Sequence, residues 1–175
     1  MKRYEFMESD YSAEAIKGEP PESIPGAIGE VIVAFESLDD QISIAIGFLI
    51  RRGDDVGRIV TAEISFKAKV NLLGSLFKND RPQSGWIQQL NELCAACHQI
   101  EEHRNRVAHS KWSHATEWPA MTRQKWTARG KQGLQHQREE VRPSKVRAVG
   151  FHCGFLAHSV DELMFGEFGD EYGAW

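Results

Sequence analysis

The stretch that decides the fold runs from Gly85 to Ser110 and reads GWIQQLNELCAACHQIEEHRNRVAHS. Its apolar residues recur at intervals of three and four positions, which is the spacing that lines one face of an α-helix. The stripe consists of Trp86, Ile87, Leu90, Leu93, Cys94, Cys97, Ile100, Val107 and Ala108. The sequence therefore predicts a long helix with one buried face.

Helical spacing on both sides of this stretch predicts three further helices. The first covers Ile28–Leu49 and is followed by Arg51–Gly53, since cations in a last turn and a following glycine are typical of helix ends. The next, about Val60–Phe77, has two apolar rows, so we expect it to be central. The last opens at Pro143 with a narrow stripe that suits a seam against another helix, inside the protomer or across a dimer. The expected fold is all-α, a bundle of four to five helices.

The segment between the last two helices has a different character. Residues Met121–Val141 are mostly polar, and Gly130–Gly133 suits a hairpin turn. We therefore expect a small polar β-hairpin before the last helix. The predicted boundaries are an N-terminal arm at 1–25, a helical domain at 26–168 with the hairpin at about 120–142, and a C-terminal tail at 169–175.

Charge is distributed unevenly along the chain. The formal net charge is −4, but residues 101–147 hold eleven Lys or Arg against five Asp or Glu, a balance of +6 that leaves −10 for the rest. Arg123 and Lys125 would share one face of a strand. Such a basic face can bind a polyanion such as RNA. A solvated, arginine-rich hairpin explains the same composition.

The sequence offers no signal for a membrane or for export. Its longest apolar run, Ile42–Ile50, is far shorter than the roughly 18 to 20 residues of a membrane span. The N-terminus lacks the apolar core of a signal peptide. We expect a cytoplasmic protein with no membrane partner.

Cys94, Cys97 and His98 match two known patterns, c-type haem attachment and half of a zinc site. Haem attachment requires an oxidising, exported context, and further zinc ligands would have to come from the distant His152 or Cys153. Because Cys94 and Cys97 belong to the apolar stripe, we interpret them as packing residues and expect no metal and no cofactor.

Arg104 is an anomaly within the helix that ends near Ser110. At about 100° per residue it falls in the middle of the apolar stripe, where a permanent charge is costly without an anionic partner. Asn105 and His109 lie one turn apart on the flank of that stripe. Two structural explanations remain open. Arg104 could pair with Glu101 or another acid, and His109 could be favoured at a helix end by the macrodipole.

These three side chains also suit the chemistry of RNA cleavage. The ribose 2′-hydroxyl can attack its own phosphate, so an enzyme needs mainly a proton-transfer group, a cation and a means of fixing the geometry. His109 can transfer protons near neutral pH, and Arg104 can grip two phosphate oxygens. Asn105 can hold the imidazole or the phosphate, and the reaction requires no metal.

The pattern Arg104-Asn105-x-x-x-His109 resembles the signature of the HEPN superfamily (higher eukaryotes and prokaryotes nucleotide-binding). Ile64–Leu73 is similar to the preceding helix of prokaryotic members, and Trp112 fits the aromatic residue after the histidine. The resemblance extends over about residues 26–165. One position departs from it, since Lys111 stands where toxins controlled by a nucleotidyltransferase carry a tyrosine.

The resemblance implies a helical bundle, a homodimer in which two motifs meet, and metal-independent endoribonuclease activity, as in toxin–antitoxin or phage-defence systems. RNA (single-stranded or tRNA) would be the substrate, and an antitoxin protein a potential partner. Arg104, Asn105 and His109 would be catalytic. The superfamily also includes bundles that only bind RNA or protein, which is the alternative function. The candidate RNA contacts are Lys69, Arg106, Lys111, Arg123 and Lys125.

Overall fold

The computed structural model describes residues 23–51, 53–114, 121–129 and 133–174. Within these ranges the chain is predominantly helical, as predicted, but a three-stranded antiparallel sheet is present where the sequence predicted two strands. The elements are α1 (Ile24–Leu49), α2 (Gly53–Thr61), α3 (Phe66–Asp80), α4 (Ile87–Ala108), β1 (Lys111–His114), β2 (Met121–Arg129), β3 (Gly133–Val141), α5 (Pro143–Phe168) and α6 (Asp170–Gly173).

Helix α1 forms the centre of the bundle. It contacts α2, α3, α4 and α5, and one of its faces is buried along its whole length. Its start is fixed by Ser23, whose hydroxyl accepts a hydrogen bond from the amide of Gly26 at 3.2 Å. The prediction that the Val60–Phe77 segment would be central was wrong, since only one of its two apolar rows is fully buried.

The same segment is divided between two helices. Helix α2 ends at Thr61 and α3 begins at Phe66, with the hydroxyl of Ser65 accepting from the amide of Ala68 at 3.3 Å. A serine at this position caps a new helix, which the apolar periodicity alone does not reveal. Helix α2 packs separately against α1, where a Cβ atom on Gly57 would lie only 2.6 Å from the Cα of Gly47.

The predicted hairpin is confirmed as strands β2 and β3, which pair from Met121 with Val141 to Arg129 with Gly133. Its proposed turn at 130–132 lies outside the described residues. Strand β1 pairs with β2 in addition. It was missed because four residues directly after a helix are too few to show a strand period. Val141 is buried and Met121 packs on the core, so the base of the hairpin is anchored to the bundle.

Helix α5 uses its apolar stripe within the protomer. The stripe residues Val146, Val149, Cys153, Leu156, Val160, Leu163 and Met164 are buried, and α5 packs mainly against α1. Of the two seams predicted for this helix, the internal one is present.

The segment predicted as a tail contains α6, in which Tyr172 is buried and accepts a hydrogen bond from Gln41 at 3.0 Å. Among the described helices, none combines the length and apolar content that a bilayer crossing requires.

Candidate active site and basic groove

The last turn of α4 carries the three residues predicted to be catalytic. The helix ends at Ala108, and His109 is its C-cap residue, with its amide donating to the carbonyl of Asn105 at 3.0 Å. The indole of Trp112 donates to the carbonyl of Val107 at 3.0 Å. These bonds satisfy carbonyl groups that a helix end leaves without partners, so this end of α4 is firmly defined.

The guanidinium of Arg104 is oriented by an aromatic ring and an amide. It lies over the ring of Phe35, with 3.9 Å between its central carbon and the ring centroid, and its Nη1 donates to Oδ1 of Asn105 at 2.9 Å. Its Nε is buried and has no hydrogen-bond partner among the described residues. No carboxylate in the described part of the chain forms an ion pair with Arg104, so the proposed pair with Glu101 is absent. The positive charge is therefore positioned, and none of the carboxylates that the structure describes neutralises it.

The positive charge of Arg104 affects the thiol of Cys153 on the neighbouring helix α5. Burial raises the pKa of the Cys153 thiol to about 12, and the nearby Arg104 acts in the opposite direction, because a positive charge favours the thiolate. Arg104 thus interacts with two helices: it stacks on Phe35 of α1 and acts electrostatically on Cys153 of α5.

His109 is exposed, and its ring makes no hydrogen bond to the described residues. Asn105 was expected to hold either the imidazole or the phosphate, and its side-chain oxygen instead accepts from Arg104. His109 is five positions after Arg104, which corresponds to about 140° around the helix and about 7.5 Å along it. One chain therefore presents the cation and the imidazole in different directions.

Lys69 occupies a different environment from the one expected of an RNA contact. It is buried, and its ammonium pairs with the carboxylate of Asp39. Phe66, one turn before Lys69, contacts Phe35, the ring on which Arg104 lies, with 4.5 Å between ring centroids. Because Lys69 is buried and its charge is paired with Asp39, it is not positioned to contact a phosphate.

Three of the other predicted RNA contacts line a groove beside the motif. Two adjoining cavities of about 450 and 530 Å³ share Arg106, Arg123 and Glu139, and Lys125 lines the larger one. Arg123 pairs with Glu139 at 2.8 Å. Lys111 is exposed in β1 but does not line either cavity.

The groove contains cations that the sequence interpretation did not single out. Arg138, Arg142 and Lys145 also line it, because the β2–β3 register and the start of α5 bring them next to Arg106. Their signal was present as part of the basic 101–147 region, but only the strand register shows which of them meet. Arg104, Asn105 and His109 do not line these cavities.

The Cys94, Cys97 and His98 cluster is engaged in packing and hydrogen bonding. Cys97 is buried, and this burial raises the pKa of its thiol. Cys94 is half-buried, and the Nε2 of His98 hydrogen-bonds with Oδ1 of Asn71 at 3.1 Å. Over the described residues, no three His, Cys, Asp or Glu side chains are grouped so that they could hold a metal ion.

Comparison of the chain with known proteins found no matching family model, no matching curated protein and no matching solved structure.

Proposed function

We propose that the protein is a metal-independent endoribonuclease of HEPN type, which cleaves RNA at a site shared across a homodimer. The observation that carries the proposal is Arg104. Its guanidinium is held by Phe35 and Asn105, lacks an acidic partner in the described residues, and lies on the same helix end as the exposed His109. A positive charge kept oriented and unneutralised is what an anionic ligand requires.

The proposed reaction is an internal transesterification of RNA. The 2′-oxygen loses its proton and attacks the adjacent phosphorus, the bond from phosphorus to the 5′-oxygen breaks, and that oxygen takes up a proton. The products are a 2′,3′-cyclic phosphate and a 5′-hydroxyl end. Arg104 would neutralise the charge that develops on the phosphorane, and His109 would transfer a proton as general acid or base. Asn105 would keep the guanidinium in place through its side-chain oxygen.

A second copy of the chain is part of the proposal for a geometric reason. Within one protomer, Arg104 and His109 differ by about 140° around the helix. A single phosphate is more easily reached by an arginine from one chain and a histidine from the other. The proposed dimer would use a surface other than the apolar stripe of α5, which is already covered by α1.

The direct test is cleavage of a labelled single-stranded RNA or tRNA in the presence of a metal chelator. The wild-type chain is expected to cut, and His109→Ala and Arg104→Ala are expected to lower the rate at least about 100-fold. His158→Ala is the matched control, since His158 is likewise an exposed histidine but lies far along α5 beside Glu162. Cleavage by His109→Ala at the wild-type rate would contradict the assignment of His109.

The biological setting proposed is that of a toxin or a phage-defence effector, silenced or activated by a partner such as an antitoxin. Expression of the wild-type chain in a bacterial host should then slow growth, and expression of His109→Ala should not. Equal growth with both chains would contradict a toxin role, while leaving the enzymatic test to stand by itself.

A non-catalytic RNA- or protein-binding bundle is the second candidate. One observation favours it, namely that the basic groove is lined by residues other than Arg104, Asn105 and His109. RNA binding without any cleavage, together with a marked loss of thermal stability in Arg104→Ala and His109→Ala, would identify this function instead.

A further inference from the structure

The groove beside the motif carries a strong excess of positive charge. The described residues that line its two cavities include six cations and two carboxylates, the latter being Glu139 and Glu140. Glu139 is already paired with Arg123 at 2.8 Å and approaches Lys145 at 3.8 Å. The cations are Arg106 from α4, Arg123 and Lys125 from β2, Arg138 from β3, Arg142, and Lys145 from α5.

A stacked pair of aromatic rings lies on the hairpin next to this groove, on the face opposite Arg123 and Lys125. Trp126 and His136 face each other in the β2–β3 register, and their rings lie 4.0 Å apart between centroids at an interplanar angle of 14°. Trp126 is 56% exposed, and His136 also lines the larger cavity. Cross-strand stacking of this kind stabilises a hairpin. The large exposed surface of the Trp126 ring is not required for this stacking and is free to contact a ligand.

The combination of a cationic groove with an exposed aromatic platform identifies the type of nucleic acid that fits. A groove of Arg and Lys follows a phosphate backbone, and a flat ring stacks on a base. In a duplex the bases are already stacked and are not offered to side chains, whereas an unpaired strand can turn its bases outward. The surface therefore fits a single strand better than a helix.

We propose that the β2–β3 hairpin holds single-stranded RNA that crosses the outer edge of β3, with phosphates along the Arg106–Lys125–Arg138 groove and one base stacked on Trp126 on the opposite face. This inference rests on the proposed function, because it assigns to a surface of the chain the substrate that Arg104 and His109 would cut. The hairpin is then the element that selects unpaired RNA and delivers it to the end of α4.

The test is a titration of a labelled single-stranded oligouridine with the full chain carrying His109→Ala, so that the RNA stays intact. Adding Trp126→Ala is expected to weaken binding by about tenfold, the effect of losing one base–ring stack, and Trp126→Phe should retain most of the affinity. Leu134→Ala is the matched control. Leu134 is 68% exposed on the same face of the hairpin but has no ring, so its removal should leave the affinity unchanged.

The groove is tested separately by the salt dependence of the same binding. Lys125→Gln should lower the affinity and reduce the slope of log affinity against log salt by about 0.7, the contribution of one phosphate contact on a single strand. Because Lys125→Gln leaves both rings intact, it keeps the proposal testable if circular dichroism shows that Trp126→Ala does not fold. An unchanged slope would place the RNA elsewhere and overturn the proposal.

Three further results would overturn the proposal. They are unchanged affinity of folded Trp126→Ala, equal weakening by Leu134→Ala, and equally tight binding of an RNA duplex. Displacement of the RNA by polyglutamate at equal charge would identify a site for acidic proteins and would also overturn it. If the nuclease assignment alone is wrong, the affinities follow the stated pattern but no RNA is cut. If the present proposal alone is wrong, cleavage still depends on His109, but Trp126→Ala leaves the cleavage rate unchanged.

Discussion

Two arginines in the described part of the chain stack on phenylalanine rings, and the comparison between them shows what is unusual about Arg104. Arg81 lies 4.7 Å from the ring centroid of Phe168 and also pairs with Asp80 at 2.9 Å and Glu167 at 3.4 Å. Arg104 lies 3.9 Å from the ring centroid of Phe35 and has no carboxylate partner among the described residues. A charge held for stability is expected to have the partners of Arg81.

Replacement of Arg104 by methionine is therefore expected to separate stability from activity. Methionine retains the contact with Phe35 and removes a charge whose Nε is buried without a partner. The free energy of unfolding should stay within about 1 kcal/mol of wild type or rise. RNA cleavage should fall at least about 100-fold. Chemical denaturation and a cleavage assay measure the two effects.

Arg81→Met is the matched control for this experiment. It should lower the free energy of unfolding by about 1 kcal/mol or more, since it leaves Glu167 without its cation, and it should leave cleavage unchanged. If Arg104→Met destabilises the protein more than Arg81→Met does, Arg104 is a structural residue and the catalytic assignment fails.

At the residue scale, the sequence predicted positions along one helix much better than contacts between helices. The helical period alone put Arg104 among apolar residues and put Asn105 next to it. It contained no information about Phe35, which is on another helix, and none about the pair between Lys69 and Asp39. Lys69 was predicted to contact RNA from the resemblance of its helix to that of HEPN proteins, and its burial is not visible in the sequence.

At the scale of elements, the periodic signal was reliable for long helices and for the hairpin, but not for the junction between α2 and α3. Helices α4 and α5 and strands β2 and β3 lie within a few residues of their predicted bounds. The α2–α3 junction depends on Ser65 and on a close approach of α2 to α1, and neither changes the apolar period. A break of this kind is set by tertiary contact.

The contact between α1 and α2 provides a stability prediction. A Cβ atom on Gly57 would lie 2.6 Å from the Cα of Gly47, which is backbone and cannot rotate away. Gly57→Ala should therefore force the helices apart and lower the free energy of unfolding by about 1 to 3 kcal/mol, as overpacking does. Urea denaturation followed by circular dichroism gives the difference.

Gly154→Ala is the matched control in α5, because a Cβ built there has no described atom within 4 Å apart from its chain neighbours and the adjoining helix backbone. Alanine is the better helix former, so this substitution should raise the free energy of unfolding by about 0.5 to 1 kcal/mol. Opposite signs for the two substitutions are the expected result. Gly57→Ala with wild-type stability would mean that α2 does not pack against Gly47.

At the scale of the whole molecule, the cations that are concentrated in one part of the sequence line one groove of the fold. The basic region 101–147 folds into the end of α4, the sheet and the start of α5, and its cations meet between these elements. The proposed catalytic residues lie next to this groove on α4 without lining it. A bound RNA strand could thus be held by one surface of the protein and cut at another, which is consistent with a cleft completed by a second chain.

Mixing two inactive variants tests whether the cleft is shared. Arg104→Ala and His109→Ala should each be inactive alone, but a mixed dimer contains one chain with an intact Arg104 and one with an intact His109. If the two side chains meet across the interface, random exchange should restore about a quarter of the wild-type rate, since half of the dimers are mixed and each has one complete pair out of two.

The control is a mixture of Arg104→Ala with the double variant, which supplies no arginine and should stay inactive. Light scattering confirms that dimers form; if they form and the first mixture remains inactive, the arginine and histidine act within one chain and the shared cleft is excluded.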